Sequence, residues 1–145
     1  IAIAALRQCF GISLLASALA GALVGYLAAE GQGNDKIINN TVENVVVKAY
    51  RDVAALVGCA NEIHDMSGNT ISNCSIIADQ VTGKYPANDP KDPNIGILIG
   101  RLTSEDISKI KNNNYSNSTL SHMVETENGD TSVEIELKEI GSIGE

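Results

Sequence analysis

The sequence is poor in aromatic residues and in positive charge. It contains no Trp, one Phe and four Tyr, and its ten Lys and Arg residues stand against 18 Asp and Glu residues, which gives a net charge of -8. So few aromatic side chains argue against a platform for stacking bases, and so few basic ones argue against a surface that neutralises phosphates. We therefore expect no nucleic-acid partner, and the acidic excess predicts a hydrated, soluble exterior.

Residues for catalysis and for metal binding are also scarce. The only two histidines, His64 and His122, fall in different predicted elements, and no nucleophile lies at a recognisable spacing from either. The sequence contains no phosphate-binding loop, no dinucleotide fingerprint and no Cys/His spacing typical of zinc. The Asn and Asp side chains in residues 88–94 could supply oxygen ligands to calcium, but they do not follow the order of an EF-hand loop. We therefore interpret this segment as a turn. We expect no enzyme activity, no cofactor and no metal site.

Residues 1–29 form a long hydrophobic run in which Arg7 is the only charge. As a helix, the run would be longer than the hydrocarbon core of a bilayer. Small residues recur at every fourth position and would form one groove along that helix, which is typical of close helix packing. We predict that this groove is an assembly surface formed by Ala5, Cys9, Ser13, Ser17, Gly21, Gly25 and Ala29.

Two simpler interpretations of this run stay open. It could be a secretory signal peptide, with Arg7 as the charged region and residues 18–20 as a cleavage pattern, or a plain single-pass anchor. The first residue is Ile and not Met, which favours a leader removed upstream and a hydrophobic segment that is kept.

A mature chain that begins with a long apolar helix and continues into a small polar domain resembles the type IV pilin superfamily. Bacterial members usually carry Glu at position 5, where this chain has Ala5. Archaeal pilins and archaellins typically lack that Glu, so the resemblance favours an archaeal-type filament subunit. It implies a filament core built from residues 1–30 and a globular domain outside it.

The middle of the chain predicts a hinge followed by a helix. Gly and Asn residues in 31–35 interrupt the hydrophobic run and indicate the hinge, and residues 36–145 then form one extracellular domain. After Ile37, apolar residues recur at steps of three or four, which predicts an amphipathic helix to about residue 63. Its buried face would consist of Ile38, Val42, Val45, Ala49, Val53, Leu56, Ala60 and Ile63, and its solvated face would include Asn40 and Asp52.

The last third of the chain predicts strands. The apolar run 95–101 fits a buried strand, and residues 103–110 resemble a short capped helix. The runs 119–126 and 131–140 flank a turn that contains Asn128 and Gly129, which predicts an antiparallel hairpin. The expected fold class is therefore α+β: a long N-terminal helix, an amphipathic helix and a small antiparallel sheet.

Two kinds of covalent modification are predicted in the domain. Cys59 and Cys74 bracket a short loop, and a disulfide between them would stabilise a small extracellular domain, although two buried thiols are the alternative. Four asparagines precede the x-Ser/Thr pattern of N-glycosylation acceptors, and the alternative at each is an ordinary surface residue. These acceptors are Asn39, Asn73, Asn114 and Asn117.

Together these features predict a structural protein. The first hypothesis is an extracellular, pilus-like filament: the helix would lie in the membrane before assembly and then bundle with helices of other copies into a helical homopolymer. The alternative is a single-pass, membrane-anchored binding module whose domain recognises a surface or cell ligand. An anchored enzyme is the least favoured hypothesis, because no set of acid, base and nucleophile emerges.

Overall fold

In a computed structural model, the described residues are 13–16, 20–21, 23–27, 36–82 and 93–144. They form seventeen β-strands. The strands of the first half are β1 (Ser13–Ala16), β2 (Ala20–Gly21), β3 (Val24–Leu27), β4 (Lys36–Ile38), β5 (Thr41–Glu43), β6 (Val46–Ala49), β7 (Val53–Ala54) and β8 (Val57–Ala60). The strands of the second half are β9 (Asp65–Ser67), β10 (Thr70–Ser72), β11 (Ser75–Thr82), β12 (Ile99–Leu102), β13 (Ile110–Lys111), β14 (Asn114–Ser116), β15 (Thr119–Thr126), β16 (Gly129–Ile135) and β17 (Ile140–Ile143).

The strands stack as the turns of a parallel β-solenoid. Strand β10 pairs in parallel with β5 on one side and with β14 on the other, so residues 29 and 44 positions apart lie side by side, as Asn40, Asn69 and Asn113 do. The same parallel order joins β4, β9 and β13, and it joins β3, β8, β12 and β17. We define rung 1 as β1–β3, rung 2 as β4–β8, rung 3 as β9–β12 and rung 4 as β13–β17.

Short strands and sharp corners let each rung enclose the core. The strands β5, β10 and β14 have three residues each, and a residue with a positive φ angle lies shortly before and directly after each of them. Asparagine and glycine adopt this left-handed conformation more readily than other residues, which explains why they occupy these corners. One corner consists of Asn39, Gly68 and Asn112, and the other of Asn44, Asn73 and Asn117.

The core is a column of stacked aliphatic side chains. Ile37 and Met66 are partners in the β4–β9 pair, and Val42 and Ile71 are partners in the β5–β10 pair; all four side chains are buried. Because parallel strands keep residues of neighbouring rungs in register, each buried side chain packs on its counterpart above and below. The apolar column is therefore continuous from rung to rung.

Glycine occupies a place where two sheets approach each other closely. The β8–β12 register brings Gly100 beside Gly58. A Cβ atom on Gly100 would lie 2.5 Å from the carbonyl oxygen of Gly58, and 2.5 Å from the backbone nitrogen of Val53 on β7. No side chain fits in that space, so the fold requires glycine at this position.

The predicted α+β fold class is wrong, because the described residues form strands and no helix. Ser13 lies on β1, Gly21 on β2 and Gly25 on β3, so these three residues do not lie along one helical groove. No helix in the described part of the chain has the length and apolar character needed to span a membrane. The predicted positions Ala5, Cys9, Ser17 and Ala29, and the hinge 31–35, lie outside the described residues.

The predicted amphipathic helix is also wrong. Residues 36–60 form the five strands β4–β8 instead. Asn40 and Asp52, expected on the solvated face, are buried with exposed fractions of 1% and 2%. The predicted short helix at 103–110 is absent, although Ser104 Oγ does accept a hydrogen bond from the backbone N–H of Asp106.

Two strand predictions agree with the structure. The hairpin is confirmed in part: β15 pairs with β16 antiparallel and Thr126 faces Gly129 across the turn, but β16 ends at Ile135 and not at residue 140. The buried run 95–101 is confirmed in part, because β12 covers Ile99–Leu102 and Ile95 makes an isolated bridge to Val53. The expected small antiparallel sheet is wrong, however, because β16 is the antiparallel strand at the edge of an otherwise parallel sheet.

Candidate functional site

One three-stranded sheet of the solenoid carries the most distinctive chemistry. It consists of β5, β10 and β14, and its outward-facing side chains at one position are Thr41, Thr70 and Asn114. At the other outward position they are Glu43, Ser72 and Ser116. We call this surface, together with its two asparagine corners, the polar face. Among these outward positions only Glu43 is charged, so the polar face presents mainly hydroxyl and amide groups to water.

All four predicted glycosylation acceptors lie on the polar face. Asn39 occupies one corner, Asn73 and Asn117 occupy the other, and Asn114 points outward from β14. All four residues are exposed. Their modification stays a prediction, but the structure brings the four positions together although they are up to 78 residues apart in sequence. Asn73 and Asn117 are on neighbouring rungs, because Ser72 and Ser116 are register partners.

A ladder of three asparagines lies beside the corner formed by Asn39, Gly68 and Asn112, and two of its members, Asn40 and Asn69, are buried. The backbone N–H and the side-chain Nδ2 of Asn40 both donate to Oδ1 of Asn69, each at 3.0 Å. The backbone N–H and Nδ2 of Asn69 donate to Oδ1 of Asn113, at 3.1 and 2.8 Å. Nδ2 of Asn69 also donates to the carbonyl of Ile37 at 2.8 Å. Buried amides need such partners, so the ladder fixes the register of three rungs.

The sequence prediction missed the ladder, yet the sequence does contain its signal. The segments Asn39–Asn44, Gly68–Asn73 and Asn112–Asn117 read NNTVEN, GNTISN and NNNYSN. A repeated pattern of this kind indicates stacked structural repeats. Its spacings of 29 and 44 residues are unequal, so a search for one fixed period does not find it.

Cys59 and Cys74 are thiols, so the predicted disulfide is not formed. Cys59 is on β8, whereas Cys74 lies at the corner between β10 and β11, which belong to two other sheets. The Sγ of Cys74 is 3.2 Å from the carbonyl oxygen of Ser72. Both cysteines are buried. Burial raises the pKa of the Cys59 thiol, and the positive charge of neighbouring Arg101 opposes this effect in part.

A buried carboxylate forms an ion pair close to Cys59. Asp52 is 2% exposed, and its carboxylate is 3.2 Å from Nη2 of Arg101. Asn94 Nδ2 donates to the same carboxylate at 2.6 Å. These contacts compensate a charge at the corner between β6 and β7 that would otherwise be costly to bury. They give the cluster a structural role in joining rungs 2 and 3.

The thiol state gives a direct prediction. In a Cys9→Ser background, we expect a neutral maleimide to leave Cys59 and Cys74 unmodified in the native protein and to modify both in concentrated urea. The physical reason is burial, which hides both sulfurs and disfavours the reactive thiolate of Cys59. Mass spectrometry without reductant measures the result. If neither cysteine were labelled in urea, the two would be joined in a disulfide and the assignment as thiols would be wrong.

One polar cleft opens between the loops that leave β8 and β12. Its volume is about 320 Å³, and Glu62, His64, Ser104, Asp106 and Lys109 line it together with Ile63. Hydrogen bonds from the hydroxyl and the backbone N–H of Ser108 lower the pKa of Asp106. The second histidine, His122, lies on β15, so the two histidines occupy separate elements. No group of three His, Cys, Asp or Glu side chains among the described residues could hold a metal ion.

Comparison of the chain with protein-family models, with curated protein sequences and with solved structures found no match.

Proposed function

We propose that this chain is an extracellular structural module, a rigid β-solenoid of a cell-surface assembly that turns its polar face toward water. The observation that carries the proposal is the grouping of Asn39, Asn73, Asn114 and Asn117 on one exposed surface. Sugars attached there would add hydration and shield the backbone from proteases. The net charge of -8 supports the same role, because it keeps an exposed module soluble.

The rung architecture supports a mechanical role in preference to a catalytic one. Each rung packs only on its neighbours, so stability grows with the number of rungs and the long axis stays stiff. The ladder Asn40–Asn69–Asn113 and the ion pair between buried Asp52 and Arg101 both link one rung to the next. Assembly through a bundle of N-terminal helices is not part of this proposal, since residues 13–16, 20–21 and 24–27 are strands.

Fractionation of native cells tests the proposal. We expect the chain in the cell-surface or secreted fraction, with glycopeptides that contain at least one of the four acceptor asparagines. Strands of neighbouring rungs are about 4.8 Å apart, so sugars on Asn73 and Asn117 would crowd each other. Molecules with both residues modified should therefore be rarer than independent modification predicts. A chain found only inside the cell, with all four asparagines unmodified, would contradict the proposal.

A further inference from the structure

The asparagine ladder repeats one hydrogen-bonding unit at each step. In every step, the backbone N–H and the Nδ2 of one asparagine converge on Oδ1 of the next, at distances between 2.8 and 3.1 Å. We call these two converging donors the fork. The asparagine whose Oδ1 accepts from a fork is held by that fork. It also donates backward, which means from its Nδ2 to a carbonyl of the preceding rung, as Asn69 does to the carbonyl of Ile37.

Asn113 is held by the fork of Asn69, and it presents a fork of its own. Its Nδ2 donates backward to the carbonyl of Met66 at 3.0 Å, as Asn69 does one rung earlier. That bond fixes the amide plane, so the second Nδ2 hydrogen and the backbone N–H of Asn113 are directed toward the next position along the solenoid. Among the described residues, no oxygen accepts from either of these two donors.

The strands around this fork are open on the same side. β13 pairs with β9 and β14 pairs with β10, while their outer edges pair with no described strand. The inward-facing residue of β14, Tyr115, is 38% exposed, whereas its counterparts Val42 and Ile71 are fully buried. Such an edge, with unpaired backbone groups beside an exposed apolar side chain, is a template for strand addition.

We propose that the fork of Asn113 and the outer edge of β14 form a binding site for an extended peptide strand that carries Asn-x-Val or Asn-x-Ile. The Asn side-chain oxygen enters the fork, and the aliphatic residue two positions later packs on Tyr115. The site continues the rung-to-rung interface that holds the segments Asn40–Val42 and Asn69–Ile71 in the same way.

The ladder geometry selects asparagine over aspartate in the incoming strand. An incoming Asn amide donates backward to a carbonyl one rung earlier, and the register places the carbonyl of Ile110 at the position of Ile37 and Met66. An ionised Asp accepts from the fork but has no hydrogen to donate to that carbonyl. A Leu side chain leaves the fork and the carbonyl unpaired, which carries the larger penalty.

A labelled peptide with the sequence of residues 36–49 tests the site, because it contains Asn40 and Val42. We expect saturable binding to the full chain by fluorescence anisotropy, and about ten-fold weaker binding for the peptide with Asn40→Leu. In the protein, Asn113→Asp keeps the oxygen that accepts from Asn69 and removes a fork donor, so it should weaken binding by about ten-fold or more. The matched control Asn128→Asp makes the same charge change in the β15–β16 turn and should bind as the unmodified chain does.

A second variant tests the site without altering the ladder. Tyr115→Glu places a charge where the aliphatic residue of the peptide packs, and the exposure of Tyr115 lets the chain fold. We expect this variant to lose binding while its circular dichroism spectrum is unchanged. Equal affinity of the unmodified peptide and the Asn40→Leu peptide, or no saturable binding, would overturn the proposal. Self-association of the chain that Asn113→Asp abolishes, without peptide binding, would assign the site to a second copy and would also overturn it.

Discussion

Replacing Asn69 by leucine lowers the free energy of unfolding by about 4 kcal/mol. The side chain of Asn69 accepts two hydrogen bonds from Asn40 and donates one each to Ile37 and Asn113, and the residue is fully buried. Leucine has the same branched skeleton but leaves several of these groups buried without partners, and each such group costs about 1–3 kcal/mol. Total stabilities are about 5–15 kcal/mol, so the variant would be close to unfolding at moderate temperature.

Urea denaturation followed by circular dichroism measures this effect. Asn114→Leu is the matched control, because Asn114 belongs to the same rung as Asn113 but points outward and is exposed. We expect the control to change the free energy of unfolding by less than about 0.5 kcal/mol. Equal stability of the two variants would show that the buried asparagines do not hold the rungs together.

Gly100→Ala has the second large effect, a loss of about 3 kcal/mol. The added Cβ would lie 2.5 Å from Asp52 C, Gly58 O and Val53 N. These are backbone atoms on two sides of the residue, so no side-chain rotation can relieve the contact and the sheets must separate. The stability of the variant should fall even though alanine is the smallest possible addition.

Gly129→Ala provides the comparison for this variant. A Cβ at Gly129 would meet nothing within 4 Å, so only its φ angle of 110° opposes the substitution. We expect a loss of about 1 kcal/mol there, which is smaller than the loss at Gly100. Thermal unfolding of both variants measures the difference. If Gly100→Ala were as stable as the unmodified chain, the close approach of the two sheets at this glycine would be wrong.

The sequence predicted the burial of seven apolar residues in the central segment, but it did not predict the burial of Asn40 and Asp52 or the secondary structure. Every apolar position assigned to the buried face of the predicted helix is buried except Ile38. The spacing of the apolar residues does not distinguish the two structures, because the corners between very short strands of a solenoid also place buried residues three or four positions apart. The corner at Asn44 separates Val42 from Val45 by three residues, and the corner at Asp52 separates Ala49 from Val53 by four. Steps of three and four are also those of an amphipathic helix.

The N-terminal prediction failed for a related reason. Gly21 and Gly25 are four residues apart, which is typical of packed helices, but here they lie on two successive strands of rung 1. A Cβ at Gly21 would lie 2.5 Å from the carbonyl oxygen of Leu56, so glycine is required by the approach of sheets and not of helices. The repeated segments LVG at 23–25 and 56–58 and LIG at 98–100 hold the signal for this arrangement. The hairpin was predictable because its turn and its alternation are local.

The central claim is that distant segments of this chain lie side by side as parallel rungs. Nuclear Overhauser spectroscopy on the isotope-labelled protein tests it most directly at Ile71, whose register partners are Val42 and Tyr115. We predict cross-peaks from Ile71 to both of these residues and no helical pattern of contacts between residues three apart over 38–63. A continuous helical pattern over that segment, with no cross-peak from Ile71 to Val42 or Tyr115, would contradict the solenoid.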